Sequence, residues 1–134
     1  MPTAIPTVTL LFASLHALLL MVLVVPIVLH RRRARIGLGD GGDARLARRM
    51  RVQANFNEYV PLALVLLALL EMSRVPGPWI WAFGSVLLAG RILHAVGLSG
   101  SAGVSRGRFF GTLLTWVDLL AMAGVGVWLT LIPS

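Results

Sequence analysis

Thr7–Leu29 reads TVTLLFASLHALLLMVLVVPIVL, 23 residues without one charged side chain, and HRRRAR follows it at His30–Arg35. A helix of that length exceeds the roughly 20 residues needed to cross the hydrocarbon core of a bilayer. Its charges follow the apolar run instead of preceding it, so it lacks the basic start of a signal peptide and is expected to stay in the membrane. The rest of the chain agrees. Of 134 residues, 57% are hydrophobic and 13% charged, with a mean hydropathy of +0.87, whereas a soluble domain carries about 25% charged residues. The length allows a single domain, residues 1–134. With no Cys, disulfides, a Cys nucleophile and Cys-ligated zinc or iron–sulfur sites are excluded.

Three further stretches are long and apolar: Asn55–Ser73, containing VPLALVLLALL, then Trp79–Leu98 and Phe109–Ile132. Backbone groups in lipid must be paired within their own segment, which selects helices, and the absence of period-2 alternation argues against a barrel. The expected fold is an all-α membrane protein, a four-transmembrane-helix bundle with helices over 7–29, 44–73, 79–98 and 109–132. The second begins before its apolar part because Asp43 is suited to cap it. Over Ala44–Ser73 it would run about 45 Å, so its first turns project beyond the bilayer. The Ser73–Pro78 segment, SRVPGP, is a tight turn that makes the second and third spans antiparallel neighbours.

The net charge of +7 comes from 12 basic residues, all of them Arg. Eight lie between the first two apolar runs: Arg31, Arg32, Arg33, Arg35, Arg45, Arg48, Arg49 and Arg51. Arg106 and Arg108 lie between the third and fourth. The positive-inside rule then places both Arg-rich loops in the cytoplasm and both termini outside, with Trp79, Trp81 and Trp128 near the outer interface. Topology accounts for these arginines, and the aromatic interleaving used in single-strand binding is absent, so no nucleic-acid partner is expected. Gly37–Gly42, GLGDGG, matches G-x-G-x-x-G, but no strand precedes it and it reads as a loop.

Charges inside the spans need a partner or a purpose, since each costs about 2.5–3.5 kcal/mol to insert. Counted from the cytoplasmic ends, Arg91 lies about 10 Å deep and Asp118 about 13 Å, with Glu58 and His94 nearby in level. One reading is an ion-pair network, Arg91 with Glu58 or Asp118, that fixes helix packing. Glu71 and Arg74, three residues apart, are expected to pair locally. His16, alone on an apolar helix, reads as a helix–helix hydrogen bonder. Arg51, Asn55, Glu58 and Tyr59 fall within about 100° of one another on a single helical stripe, which must face protein or water. Beside an Arg-rich face, that stripe reads as a site for a zwitterionic or anionic ligand. Pro61 bends the helix just above it. No His/carboxylate constellation suggests a metal site.

Arg51–Pro61, RVQANFNEYVP, resembles the signature of the MAPEG family, the membrane-associated proteins in eicosanoid and glutathione metabolism. GRILHAVGLS at Gly90–Ser99 is similar to the third-helix motif of bacterial members. The resemblance covers nearly the whole chain. It implies a homotrimer in the bacterial inner membrane, with glutathione as co-substrate bound between subunits near the cytoplasmic side. Carried over by position, Arg51 would hold a glutathione carboxylate, Asn55 and Tyr59 would hydrogen-bond the ligand, and Glu58 would pair its ammonium. Gln53 would reach a neighbouring subunit's site, and Arg91 and His94 would close the pocket. Arg106 is the nearest match to the arginine that faces the thiol and is the catalytic candidate, with Arg108 in reserve.

The implied activity is that of a glutathione transferase or peroxidase acting on a lipophilic small molecule dissolved in membrane lipid. A thiol of pKa near 8.5 is mostly protonated at neutral pH, and a neighbouring guanidinium favours the thiolate. Arg suits this because it keeps its proton and offers a fixed fork of donors. Trp116 could line the apolar approach. Family enzymes often carry Tyr where this chain has Leu98, which removes one hydrogen bond to glutathione. That departure motivates the alternative, a non-catalytic lipid- or partner-binding scaffold of the same fold. A proton-coupled exporter fits less well, because Glu58 lies near one interface instead of centrally.

Overall fold

The structure, a computed structural model, describes residues 5–100 and 105–132, with the side chains of 98–100 outside that description. It is a four-helix bundle: α1 Thr7–Ala34, α2 Ala44–Met72, α3 Gly77–Gly100 and α4 Arg106–Leu131. All four helices are long and apolar enough to cross a membrane, and no strand occurs among the described residues. α1 continues beyond its apolar run to Ala34, so Arg31, Arg32 and Arg33 form its last turn, where cations complement the negative end of the helix dipole. The helix stops at Arg35, in the left-handed region with φ 55°, and the loop turns on three glycines of positive φ, Gly39, Gly41 and Gly42.

Asp43 caps α2 as its position suggested. Its Oδ1 accepts from the backbone N–H of Arg45 (2.8 Å) and Leu46 (3.0 Å), and its Oδ2 accepts from His30 Nε2 at 2.8 Å. The Leu46 N–H foremost, with those of Arg45 and the His30 ring, holds this carboxyl below the usual carboxylate range. A group whose pKa is depressed by folding stabilises the fold above its unfolded pKa and ceases to do so as pH falls through its folded value. Acidification into that low range is therefore expected to fray the first turn of α2, read as faster amide exchange at Arg45 and Leu46. Asp43→Ala should show the same fraying already at neutral pH.

The other end of α1 has no cap of its own. Glu71, near the end of α2, supplies one: its carboxylate accepts from the N–H of Val8 (3.0 Å), the N–H of Thr9 (2.7 Å) and the Thr9 hydroxyl (2.7 Å). This corrects the expected Glu71–Arg74 pair. Three donors at a helix N-terminus, where the dipole favours an anion, outcompete one exposed guanidinium. Arg74 instead turns the chain out of α2 with φ 62°.

α2 and α3 each touch all three other helices, whereas α1 and α4 stay apart at opposite corners. Between lipid-solvated helices, apolar burial gives little drive, so packing and hydrogen bonds decide the arrangement. At the Trp end, Phe12, Leu67, Ile80, Phe83, Leu87 and Met122 interlock, and Phe12 fills the space beside Gly84. α3 and α4 pair most extensively, along a backbone contact made by Gly90 and Gly97 against Gly111 and Gly107. Across the bundle, Trp79 and Trp128 line one cavity at one end, while Arg51 and Arg108 line another at the opposite end. The segregation of Trp and Arg expected from the chain is present.

Candidate functional site

Four helices bring polar groups to one level of the bundle. Arg91 is 2% exposed, and its Nη2 donates to Asn55 Oδ1 at 2.6 Å, while Nη1 donates to Thr115 Oγ1 at 3.4 Å. Thr115 in turn donates to the Gly111 carbonyl at 2.8 Å. The guanidinium also lies over the Phe56 ring, 6.0 Å from its centroid, and that ring also packs beside His16. Arg91 thus ties α3 to α2 and α4. The alternative of an Arg91 ion pair with Glu58 or Asp118 is not what forms, because no carboxylate lies within 4.0 Å of Arg91 among the described residues. An amide and a hydroxyl instead meet the two Nη groups of the cation.

His16, 1% exposed, donates from Nδ1 to the Phe12 carbonyl of its own helix at 2.7 Å, not across to another helix. The side chain of a helical residue leans toward the helix N-terminus, which brings the ring over the carbonyl four residues back. Asp118 is buried on α4 three residues beyond Thr115, and its Oδ2 has no hydrogen-bond partner.

Next to this buried tie is an open cavity of about 260 Å³, lined by Arg51 and Asn55 of α2, His94 of α3, and Arg108 and Thr112 of α4. Asn55 belongs to both: its Oδ1 is held by Arg91 while the residue lines the cavity. His94 is 4% exposed with Nδ1 unpartnered. Arg51 donates to Glu58 at 3.1 Å, two turns along the same helix face. The lining therefore holds two guanidinium groups, an imidazole, an amide and a hydroxyl, and no carboxylate. That composition is suited to an anion with further hydrogen-bonding groups.

Arg51, Asn55 and His94, singled out from the chain, thus converge. Arg91 lies behind them, acting through Asn55. Glu58 bonds Arg51, and Tyr59 and Gln53 are half-buried on α2 without lining the cavity. Arg106 is exposed at the start of α4 and does not line it, whereas Arg108 does. Leu98 lies outside the described side chains. Thr112 and Thr115 were not foreseen as site groups. Thr112 is four residues beyond Arg108, on the same helical face, and that spacing was the available signal.

Comparison with known proteins places the chain among relatives. The model of the MAPEG family matches residues 9–128. Inner membrane protein YecN of Escherichia coli strain K12 is 37% identical over 121 residues, covering 90% of this chain and 91% of that protein. YecN of strain CFT073 matches to the same extent.

Proposed function

Because the chain belongs to the MAPEG family, we propose that it binds glutathione and transfers it to lipophilic electrophiles, or uses it to reduce lipid hydroperoxides, from within a bacterial inner membrane. The observation that carries this reading is the cavity in which Arg51, Asn55, His94, Arg108 and Thr112 converge. YecN is named for the inner membrane, and the same location suits this chain, with its Arg-rich end toward the cytoplasm. Within one chain the cavity is about 260 Å³, short of the roughly 300–1,000 Å³ of small-molecule sites. A second copy that closes it, as in a homotrimer, is part of the reading. Gln53 is then the group that would reach a neighbouring subunit's site from outside the cavity's present lining.

The division of labour follows from chemistry. Arg51 meets a carboxylate of the tripeptide, Asn55 and Thr112 supply neutral hydrogen bonds, and Glu58 is near enough to Arg51 to meet an ammonium beside that carboxylate. Arg108 is the cation left to face sulfur. Each unit by which it lowers the thiol pKa reflects about 1.4 kcal/mol of preference for the thiolate. The thiolate attacks the electrophilic carbon, a C–S bond forms, and the leaving group departs with the bonding pair. With a hydroperoxide, two glutathiones yield the disulfide, an alcohol and water.

The test is conjugation of 1-chloro-2,4-dinitrobenzene by the purified full chain in detergent, with glutathione binding followed by calorimetry. Arg108→Ala is expected to lower kcat/KM by about 10²–10³, the effect of removing one donor that stabilises developing charge. Arg106→Ala is expected to stay near wild type. The reverse result would move the thiol-facing role to Arg106. Glutathione binding without conjugation or peroxide reduction would replace the enzymatic reading with a binding protein, and no binding would end both.

A further inference from the structure

On the side of α2 away from the proposed glutathione cavity, two cavities run together. One, of about 570 Å³, is an apolar groove between α1, α2 and α3, walled by Val22, Leu23, Val52, Ile92 and Val96. The other, of about 600 Å³, opens at the Arg-rich end beside His30, Arg33, Arg45 and Arg49. Pro26 and Arg49 line both, so the apolar groove leads directly to a cationic mouth. Arg49 and Arg51 are two residues apart and point to opposite sides of α2. Within one chain this site is therefore separate from the one lined by Arg51, with no lining residue in common.

The mouth retains its positive charge. Among the described residues, Arg33, Arg45 and Arg49 have no carboxylate within 4.0 Å. The nearby carboxylate, Asp43, is already committed to the N–H groups of Arg45 and Leu46 and to His30. Arg49 makes one long contact, to the Pro26 carbonyl at 3.5 Å. The groove walls are open: Val22 and Val96 are each 67% exposed and Ile92 45%. From Leu19 to Arg33, α1 rises about 21 Å, half of the roughly 40–45 Å of a whole bilayer. An occupant thus needs an apolar chain one leaflet deep and an anion at its end.

We propose that this groove is a binding site for one anionic phospholipid, its phosphate held by Arg33, Arg45 and Arg49 and an acyl chain lying along α1 and α3. Charge complementarity selects this occupant over a zwitterionic lipid, because basic clusters between membrane helices concentrate anionic headgroups. The open apolar walls select it over a free phosphate.

The experiment is native mass spectrometry of the full chain in detergent, titrated with phosphatidylglycerol, phosphatidylcholine or inorganic phosphate. The expected result is one phosphatidylglycerol retained per chain, about tenfold more tightly than phosphatidylcholine. Arg33→Gln/Arg49→Gln is expected to erase that preference while phosphatidylcholine retention stays unchanged, which also reports an intact fold. Val22→Trp, which narrows the groove and leaves the arginines, is expected to lower phosphatidylglycerol retention. Arg32→Gln/Arg35→Gln removes the same charge outside the lining and is expected to change nothing. Equal retention of the two lipids would overturn the proposal. So would an equal loss in Arg32→Gln/Arg35→Gln, meaning diffuse attraction only, or displacement of the lipid by equimolar inorganic phosphate. Cross-links between copies through cysteines placed at Val22 and Val96, with no lipid retained, would assign the groove to a second copy instead.

Discussion

Replacing Gly111 by alanine is expected to destabilise the bundle more than any other single-methyl addition at a helical glycine of the α3–α4 pair except Gly97. A Cβ at Gly111 would lie 2.6 Å from both the Gly90 carbonyl oxygen and the His94 nitrogen, and 2.9 Å from the His94 Cα. All three are backbone atoms of α3, so no rotamer change makes room and the helices themselves must part. At Gly84 the obstruction is the Phe12 ring, at 2.2 Å, which is a side chain and can swing. At Gly124 nothing lies within 4 Å. Alanine gains about 1 kcal/mol over glycine in helix propensity, and forced overpacking costs about 1–3 kcal/mol, occasionally more. Gly124→Ala should therefore be neutral or stabilising, and Gly111→Ala a net loss. Under the proposed function, Gly111→Ala is also expected to weaken glutathione binding, because the displaced backbone carries His94. Unfolding in mixed detergent micelles, followed by circular dichroism, orders the variants. Equal stability of Gly111→Ala and Gly124→Ala would mean that α3 and α4 are not held by this close contact.

The same contact shows where reading the chain stopped. Long charge-free runs, the clustering of Arg and the Pro/Gly turn at Ser73–Pro78 made four helices and their order legible, since hydrophobic length is a local property. Which helix approaches which is not local. Gly107 and Gly111 are spaced one turn apart, a small-xxx-small pattern, but Gly90 and Gly97 become their partners only once α3 and α4 are antiparallel and in register. Glu71 failed for the same reason. Its neighbour in the sequence is Arg74, while its partners, Val8 and Thr9, are more than sixty residues away and uncapped only because Pro6 provides no side-chain acceptor.

For the candidate site, the stripe Arg51–Asn55 was readable from helical periodicity, and His94 from its place on an apolar helix. Their separation into a lining layer and a buried layer was not. Arg91 and His94 share a face of α3 in projection, yet Arg91 reaches inward to Asn55 and Thr115 while His94 lines the cavity. Arg108 over Arg106 depended on where α4 begins. With its first turn at Arg106, the backbone at Arg108 packs against Gly97 of α3, where any Cβ would collide with it. The periodicity of the apolar part alone started that helix at Phe109, too late to orient either arginine.

Asn55→Leu is expected to cost about 1.5–3 kcal/mol of stability, the range for losing a hydrogen bond to a charged group. The reason is Arg91. It is 2% exposed, its Nε has no partner, and its 2.6 Å bond to Asn55 is far shorter than the 3.4 Å contact with Thr115. Leucine would leave a buried guanidinium with that one long contact. Arg91→Met has a different ledger: it removes the charge together with its bond, and the amide left behind lines an open cavity where water can reach it. Thr115 retains its bond to the Gly111 carbonyl in either case. The double variant Asn55→Leu/Arg91→Met is therefore expected to be more stable than Asn55→Leu alone, since removing both partners spares the penalty of stranding one. Under the proposed function, Arg91→Met should also weaken glutathione binding while sparing kcat more than Arg108→Ala does, because Arg91 positions Asn55 and does not face the thiol. Additive losses in the double variant would show that the Arg91–Asn55 bond does not carry the tie between α2 and α3, and an equal loss of kcat in Arg91→Met and Arg108→Ala would place Arg91 at the reacting sulfur instead of behind it.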